Sequence, residues 1–239
     1  MATIRILSGG AAQAVVEKIA ADFKRDTGHE ISAEFSAVGA MKQKVVAGEA
    51  VDMVILTAAL VDDLIAGGFV VPGSRVDLGK VGTGVAVRAG TPLPDVRNAD
   101  VLRANMLAAT QIACPDPAVA TAGKVVMNLI ARLGIAGQVM PRMQYFPNGY
   151  AAMGWLAAGT GHNEMGITQV TEILPNKDVT LAGPLPDALQ MKTIYSAGLA
   201  SRAANAGTAK DFIARLTAPA ARPILAAAGY EFSDLNSER

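Results

Sequence analysis

Small hydroxyl side chains stand at the ends of three predicted strands in the first quarter of the chain. Ser8, Ser36 and Thr57 each close a short β-rich stretch, and each is followed by a predicted helix. Hydroxyl groups donate hydrogen bonds, and the free N–H groups of a helix start carry partial positive charge. Because ligands of open α/β sheets bind at the carboxyl ends of strands, the pattern predicts a small-anion site without a formal cation. In the competing interpretation, each hydroxyl only caps its helix.

The elements that position these hydroxyls alternate regularly over the first 70 residues. Strand and helix patterns follow one another as βαβαβα, which is typical of a parallel sheet covered by helices. The later part of the chain also predicts an α/β arrangement. Its predicted strands cover 80–88, 111–114, 143–146, 164–168, 179–181 and 193–200, and its main helices cover 121–133, 149–158, 208–216 and 219–228.

Composition excludes several classes of function. The 239 residues carry 21 basic and 21 acidic side chains, so no broad basic surface for nucleic acid is expected. The hydrophobic content of 51 % excludes a disordered chain. One cysteine, Cys114, and two histidines exclude a disulfide framework and a Cys- or His-rich metal site, so we expect no metal and no cofactor. Cys114 itself is predicted to be buried and inert.

Membrane insertion is not expected, because no stretch of 18 or more uncharged apolar residues exists. The start of the chain predicts a strand directly, with no visible leader. We therefore expect a periplasmic protein if a leader has been removed, and a cytoplasmic one if Met1 is the native start.

A family resemblance follows from the order and spacing of several motifs. The chain resembles the molybdate-binding members of the type II periplasmic solute-binding proteins, and the likeness covers most of its length. The motifs that carry it are Ser8-Gly9-Gly10-Ala11, Ser36-Ala37-Val38-Gly39-Ala40, Gly48-Glu49-Ala50-Val51-Asp52-Met53-Val54-Ile55, Cys114-Pro115-Asp116-Pro117, Thr121-Ala122-Gly123 and Gly166-Ile167-Thr168-Gln169.

The resemblance implies an α/β protein with two lobes, each a mixed sheet covered by helices, and an interlobe cleft. Lobe one is expected over residues 1–82 plus 196–239 and lobe two over 83–195, with crossover strands near 81–88 and 193–200. It also implies reversible binding of a small anion, as the solute-binding component of a transport system that delivers the ligand to a membrane permease.

The same resemblance, read with the strand-end pattern, names the candidate ligand-binding residues. Ser8 and Ser36 resemble hydroxyl donors, and Ala122 with Gly149 or Tyr150 resembles a pair of backbone N–H donors. Glycines beside the serines let a ligand approach the backbone closely. The full candidate set is Ser8, Gly9, Ser36, Gly39 and Thr57 in lobe one, and Thr121, Ala122, Asn148, Gly149, Tyr150 and Gln169 in lobe two.

Two departures from the molybdate-binding pattern leave the ligand open. Gln169 stands where a ligand-contacting Tyr is usual, and Val38 stands where a second Ser is common. An organic carboxylate is therefore an alternative to an oxyanion such as molybdate. Isomerases of unsaturated tricarboxylic acids, such as aconitate isomerases, resemble the same scaffold, and such an enzyme would need a base. Glu172 is the candidate for that catalytic role, and its alternative is a carboxylate in the first turn of a helix.

Overall fold

The computed structural model describes residues 1–232 and divides them into two compact units. Unit 1 comprises Met1–Val81 and the carboxy-terminal segment that begins at Thr193, and unit 2 comprises Gly82–Lys192. The sequence placed these boundaries after residues 82 and 195. Thr193–Leu199 lies in unit 1 because the strand pairs along its length with two strands of that unit. Residues 233–239, included in the expected lobe one, lie outside the described part.

Unit 1 is a six-stranded mixed sheet with helices packed against it. Its strand order is β11-β4-β10-β3-β1-β2, in which β2, β1 and β3 are parallel and the other strands pair antiparallel. The strands are β1 (Thr3–Gly9), β2 (Glu30–Ser36), β3 (Met53–Thr57), β4 (Val76–Val81), β10 (Thr193–Leu199) and β11 (Tyr230–Glu231), and the helices are α1 (Gln13–Thr27), α2 (Val38–Val46), α3 (Ala58–Ala66), α9 (Ala206–Thr217) and α10 (Arg222–Ala227).

Burial follows the place of each strand in this sheet. β3 is central and buried at all five residues, whereas β2 forms an edge and alternates between exposed and half-buried positions. α1 buries Val15, Val16, Ile19 and Phe23, one stripe at helical spacing. The helix ends at Gly28, whose φ of 73° is the left-handed conformation that favours glycine, and whose N–H bonds to Lys24 O.

Unit 2 is a five-stranded mixed sheet with its own hydrophobic core. Its strand order is β7-β6-β8-β5-β9, with β7, β6 and β8 parallel and β5 antiparallel to both of its neighbours. The strands are β5 (Thr83–Arg88), β6 (Gln111–Pro115), β7 (Met143–Phe146), β8 (Glu164–Gln169) and β9 (Val179–Pro184), and the helices are α4 (Ala99–Ala108), α5 (Thr121–Arg132), α6 (Ala136–Val139), α7 (Gly149–Ala158) and α8 (Val170–Ile173).

Several details differ from the sequence prediction. The strand predicted over 80–88 is two strands, because Val76–Val81 pairs in the unit 1 sheet and Thr83–Arg88 pairs in the unit 2 sheet. α2 begins at Val38 rather than Ala40, so Gly39 lies in its first turn. The short helix Ala136–Val139 and the 3₁₀ turn Met140–Arg142 have no counterpart in the prediction.

Candidate functional site

The three hydroxyl residues of unit 1 lie at one edge of its sheet. In the parallel pairing, Gly9 is opposite Ser36, and Ser8 is opposite Ile55, two residues before Thr57. Ser8 and Thr57 are buried and Ser36 is half-buried. The carboxyl ends of β1, β2 and β3 therefore bring these residues to the same edge, as the sequence pattern required.

Within residues 1–232, these hydroxyls do not cap the helices that follow them. Ser8 Oγ donates to its neighbour Gly9 O at 3.0 Å. Ala37 and Thr57 occupy the N-cap positions of α2 and α3, and among the described residues neither helix start receives a side-chain cap or has an acidic residue in its first turn. The capping interpretation therefore fails here, and the first N–H groups of both helices lack the usual side-chain acceptor.

Gly9 has a packing role that the sequence did not indicate. A Cβ on Gly9 would lie 2.6 Å from Val38 Cγ1 and 3.1 Å from Cε1 of Tyr195. Tyr195 stands opposite Thr57 in the β10–β3 pairing, so its ring lies at the same sheet edge as the hydroxyls. Tyr195 was not predictable as a residue of this edge, because only the strand pairing brings it there.

Unit 2 presents a corresponding edge at the carboxyl ends of β6, β7 and β8. Pro115 is opposite Phe146 in the parallel β6–β7 pairing, and α5, α7 and α8 begin shortly after these three strands. α5 starts with Thr121, half-buried, and Ala122, buried, and in the described part of the chain it has no side-chain cap and no acidic residue in its first turn. A Cβ on Gly123 would lie 2.6 Å from Pro117 N, so the helix start packs tightly on the preceding loop.

The start of α7 differs, because the protein itself supplies its acceptors. Asn148 Oδ1 accepts the Ala151 N–H at 2.8 Å, and Glu172 Oε1 accepts the Gly149 N–H at 3.2 Å. Two predicted ligand-binding residues, Asn148 and Gly149, are thus engaged within the protein. Tyr150 follows them in the first turn of α7 and is half-buried.

Glu172 lies in the first turn of α8 and is buried. Its Oε2 accepts a hydrogen bond of 2.6 Å from Thr168 Oγ1. Burial raises the pKa of the Glu172 carboxyl, while hydrogen bonds from Thr168, Gly149 and Gln169 act in the opposite direction. Because both oxygens accept hydrogen bonds from α7 and β8, the geometry favours a role in holding α7 and α8 together over direct contact with a substrate.

Gln169 is the last residue of β8 and the N-cap of α8, with 2 % of its surface exposed. Its cross-strand neighbour is Thr83, the first residue of β5, which is not among the predicted ligand-binding residues. Only the register of this antiparallel pair shows that Thr83 shares the edge with the other candidates.

The thiol of Cys114 has the environment of a structural side chain rather than a reactive one. Cys114 is buried in β6, and burial raises the pKa of its thiol to about 12, so it is not a reactive thiolate at neutral pH. Residues 1–232 hold no cluster of three or more His, Cys, Asp or Glu side chains that could bind a metal ion. Over the same residues, no helix is long and apolar enough to cross a membrane.

The family follows from comparison with known proteins. The sequence model of the bacterial extracellular solute-binding proteins matches residues 4–231. The chain belongs to this family. As a solute-binding protein it is similar to an aconitate isomerase from a Pseudomonas species, with 26 % identity over 218 residues, covering 88 % of this chain and 80 % of that protein.

Solved structures agree with the fold of this solute-binding protein. The periplasmic molybdate-binding protein of Azotobacter vinelandii matches with a TM-score of 0.82 and 21 % identity, over 96 % of this chain and 99 % of that one. The sulfate-binding protein of Mycobacterium tuberculosis matches with a TM-score of 0.79 and 15 % identity, over 98 % and 88 %. The expected family and the α/β fold of two helix-covered mixed sheets are confirmed.

Proposed function

We propose that this protein reversibly binds a small anion at the uncapped helix starts of its two units, as the solute-binding component of a transport system. One observation carries the proposal. Among the described residues, α2, α3 and α5 begin after the carboxyl ends of parallel strands without a side-chain cap or a first-turn acid. α1, α6, α9 and α10 also lack both, but none of them is the first helical element after the carboxyl end of a parallel strand. α4 begins after β5, which runs antiparallel to β8, and its start has both an Asn98 cap and Asp100.

Neutral groups provide the proposed donors. In unit 1 they are the hydroxyls of Ser8, Ser36 and Thr57, and in unit 2 they are the Thr121 hydroxyl and the Ala122 N–H at the start of α5. The Ser8 hydroxyl would turn from Gly9 O to donate to the anion. Each donor is suited to an anion, because hydroxyls and helix-start N–H groups can donate without carrying a formal charge.

The names of the similar proteins support an anionic ligand. Molybdate and sulfate are the ligands named for two structural neighbours, and aconitate is a carboxylate substrate. An oxyanion fits hydroxyl and N–H donors directly. A carboxylate is the alternative ligand, because Gln169 stands where a ligand-contacting Tyr is usual in molybdate-binding proteins. The proposed partner is the membrane permease of an ABC transporter, which family membership supports.

Titration calorimetry with molybdate, sulfate and trans-aconitate tests the proposal. Hydrogen bonds to charged groups contribute about 1.5–3 kcal/mol each, so Ser8→Ala with Ser36→Ala should weaken binding at least about 100-fold. The matched control is Ser32→Ala with Ser201→Ala, two exposed serines of the same unit. An unchanged affinity in the Ser8/Ser36 variant, or an equal loss in the control, contradicts the assignment.

A second candidate function is isomerisation of an unsaturated polycarboxylate. Its support is the 26 % identity with an aconitate isomerase over 88 % of this chain. Glu172 is poorly placed as the base that this reaction needs, because each of its oxygens already accepts a hydrogen bond from within the protein. Proton NMR of cis- and trans-aconitate incubated with the protein separates the two candidate functions. Isomer formation favours the enzyme, and binding without turnover favours the solute-binding protein.

A further inference from the structure

Thr83 has a buried hydroxyl that takes part in no hydrogen bond with any residue from 1 to 232. The residue is 1 % exposed, and its Oγ1 is buried without a partner among them. Its backbone is fixed on both sides by one side chain, since Thr83 N–H donates to Gln190 Oε1 at 2.9 Å and Gln190 Nε2 donates to Thr83 O at 2.8 Å. The backbone of Thr83 is therefore held in place, while its hydroxyl is free to donate a hydrogen bond to a ligand.

Strand pairing places Thr83 on a defined face of the unit 2 sheet. It stands opposite Gln169, and the next pair on that face is Val85 with Ile167. Val85 and Ile167 belong to the hydrophobic cluster that also contains Val125 of α5. Thr83 thus lies on the face that α5 covers.

The other face of the same two strands is turned toward α8. There Thr168 Oγ1 bonds to Glu172, and a Cβ on Gly84 would lie 3.1 Å from Val170 Cγ2. Both Glu172 and Val170 belong to α8. Thr83 is therefore separated by the sheet from α8 and shares its edge and face with the uncapped start of α5.

We propose that Thr83 is a further ligand-binding residue, whose hydroxyl donates to the anion held at the start of α5. This inference rests on the proposed function and extends its donor set in unit 2. A buried hydroxyl without a partner is unfavourable for folding, whereas an anion at this corner would accept its proton in a hydrogen bond. The ligand class is a small oxyanion or carboxylate with an acceptor oxygen directed at β5.

The test compares Thr83→Val with Thr171→Val. Thr171 is a matched control, because its hydroxyl is also buried and unpartnered among the described residues but lies on α8. Affinity is measured by calorimetry for whichever of molybdate, sulfate and trans-aconitate the unaltered protein binds most tightly. We expect about 10-fold weaker binding in Thr83→Val, retained binding in Thr83→Ser, and unchanged binding in Thr171→Val.

Melting temperatures without ligand separate a binding role from a structural one. Valine replaces a hydroxyl that has no partner, so Thr83→Val should melt at the same temperature as the unaltered protein or higher. A lower melting temperature, an unchanged affinity, or an equal loss of affinity in Thr171→Val would each overturn the assignment of Thr83. If the Ser8/Ser36 variant loses binding while Thr83→Val keeps it, only this inference fails; if the unaltered protein binds none of the three anions, both proposals fail.

Discussion

Two glycines of α7 offer a controlled measure of how tightly the Glu172 carboxyl is packed. A Cβ on Gly149 would overlap Glu172 Oε2 and Thr168 Oγ1 and would lie 2.5 Å from Glu172 Cδ. Gly154 is in the same helix, and a Cβ there would have no described atom within 4 Å beyond its chain neighbours and the nearby backbone of its own helix. Gly149→Ala and Gly154→Ala therefore make the same chemical change in one helix, with and without a steric conflict.

The two variants should change the free energy of unfolding in opposite directions. Gly154→Ala should stabilise by about 0.5–1 kcal/mol, because alanine loses less backbone entropy in a helix than glycine. At Gly149 an added methyl group costs about 1–3 kcal/mol for overpacking. Displacing Glu172 also disturbs hydrogen bonds worth about 1.5–3 kcal/mol each. We expect Gly149→Ala to be less stable than Gly154→Ala by about 3 kcal/mol or more.

Urea unfolding followed by tryptophan fluorescence measures this difference. Trp155 is the single tryptophan of the chain and lies in α7, so its fluorescence reports on unit 2. Equal unfolding midpoints for the two variants would refute the reasoning, because they would show that the Glu172 carboxyl can move aside at no cost.

Further predictions concern two of the groups whose pKa is raised by burial, Glu172 and Cys114. Because the folded pKa of Glu172 lies above its ordinary value of 4.5, its contribution to stability is fully present below that value and is lost as pH rises through the folded pKa. In urea unfolding measured from pH 4.5 upward, the free energy of unfolding of the unaltered protein should therefore fall relative to that of Glu172→Gln by up to about 1.4 kcal/mol per pH unit. A pH-independent difference between the two proteins would contradict this. Cys114, with a pKa of about 12, should react with a thiol reagent slowly when folded and rapidly in denaturant; fast reaction of the folded protein would refute its burial.

The local elements were predictable where each strand ends in a clear stop signal. Met143–Phe146 and Gly149–Ala158 have the bounds that their residues indicate, because Pro147 and Asn148 separate an alternating strand from an alanine-rich helix. The family resemblance placed the lobe boundary at residue 82, but the split of the predicted strand 80–88 into two strands there did not follow from the local pattern, since the apolar pattern continues across it. The two halves differ only in which distant strands they pair with, and pairing over more than 80 residues leaves no local pattern.

The residues of the candidate site also divide into those that the sequence predicts and those that only the strand pairing reveals. Ser8, Ser36 and Thr57 were identifiable because parallel strands must bring their carboxyl ends to one edge. Thr83 and Tyr195 were not, because antiparallel strands that return from elsewhere carry them to the edge. The bond from Gly149 N–H to Glu172 was also hidden, since the two residues are 23 positions apart.

The distribution of helix caps bears directly on an anionic ligand for a chain of zero net charge. A side-chain cap contributes about 1 kcal/mol, and this protein has one at α4 and one at α7. Over the described residues the other helices lack one, and among these α2 and α3 follow strands that end in hydroxyl residues, while α5 begins with Thr121. If an anion supplies the missing acceptors, binding must stabilise the folded protein in proportion to the logarithm of ligand concentration over Kd. The ligand-free protein is then less stable at these helix starts, and ligand binding restores the lost stability.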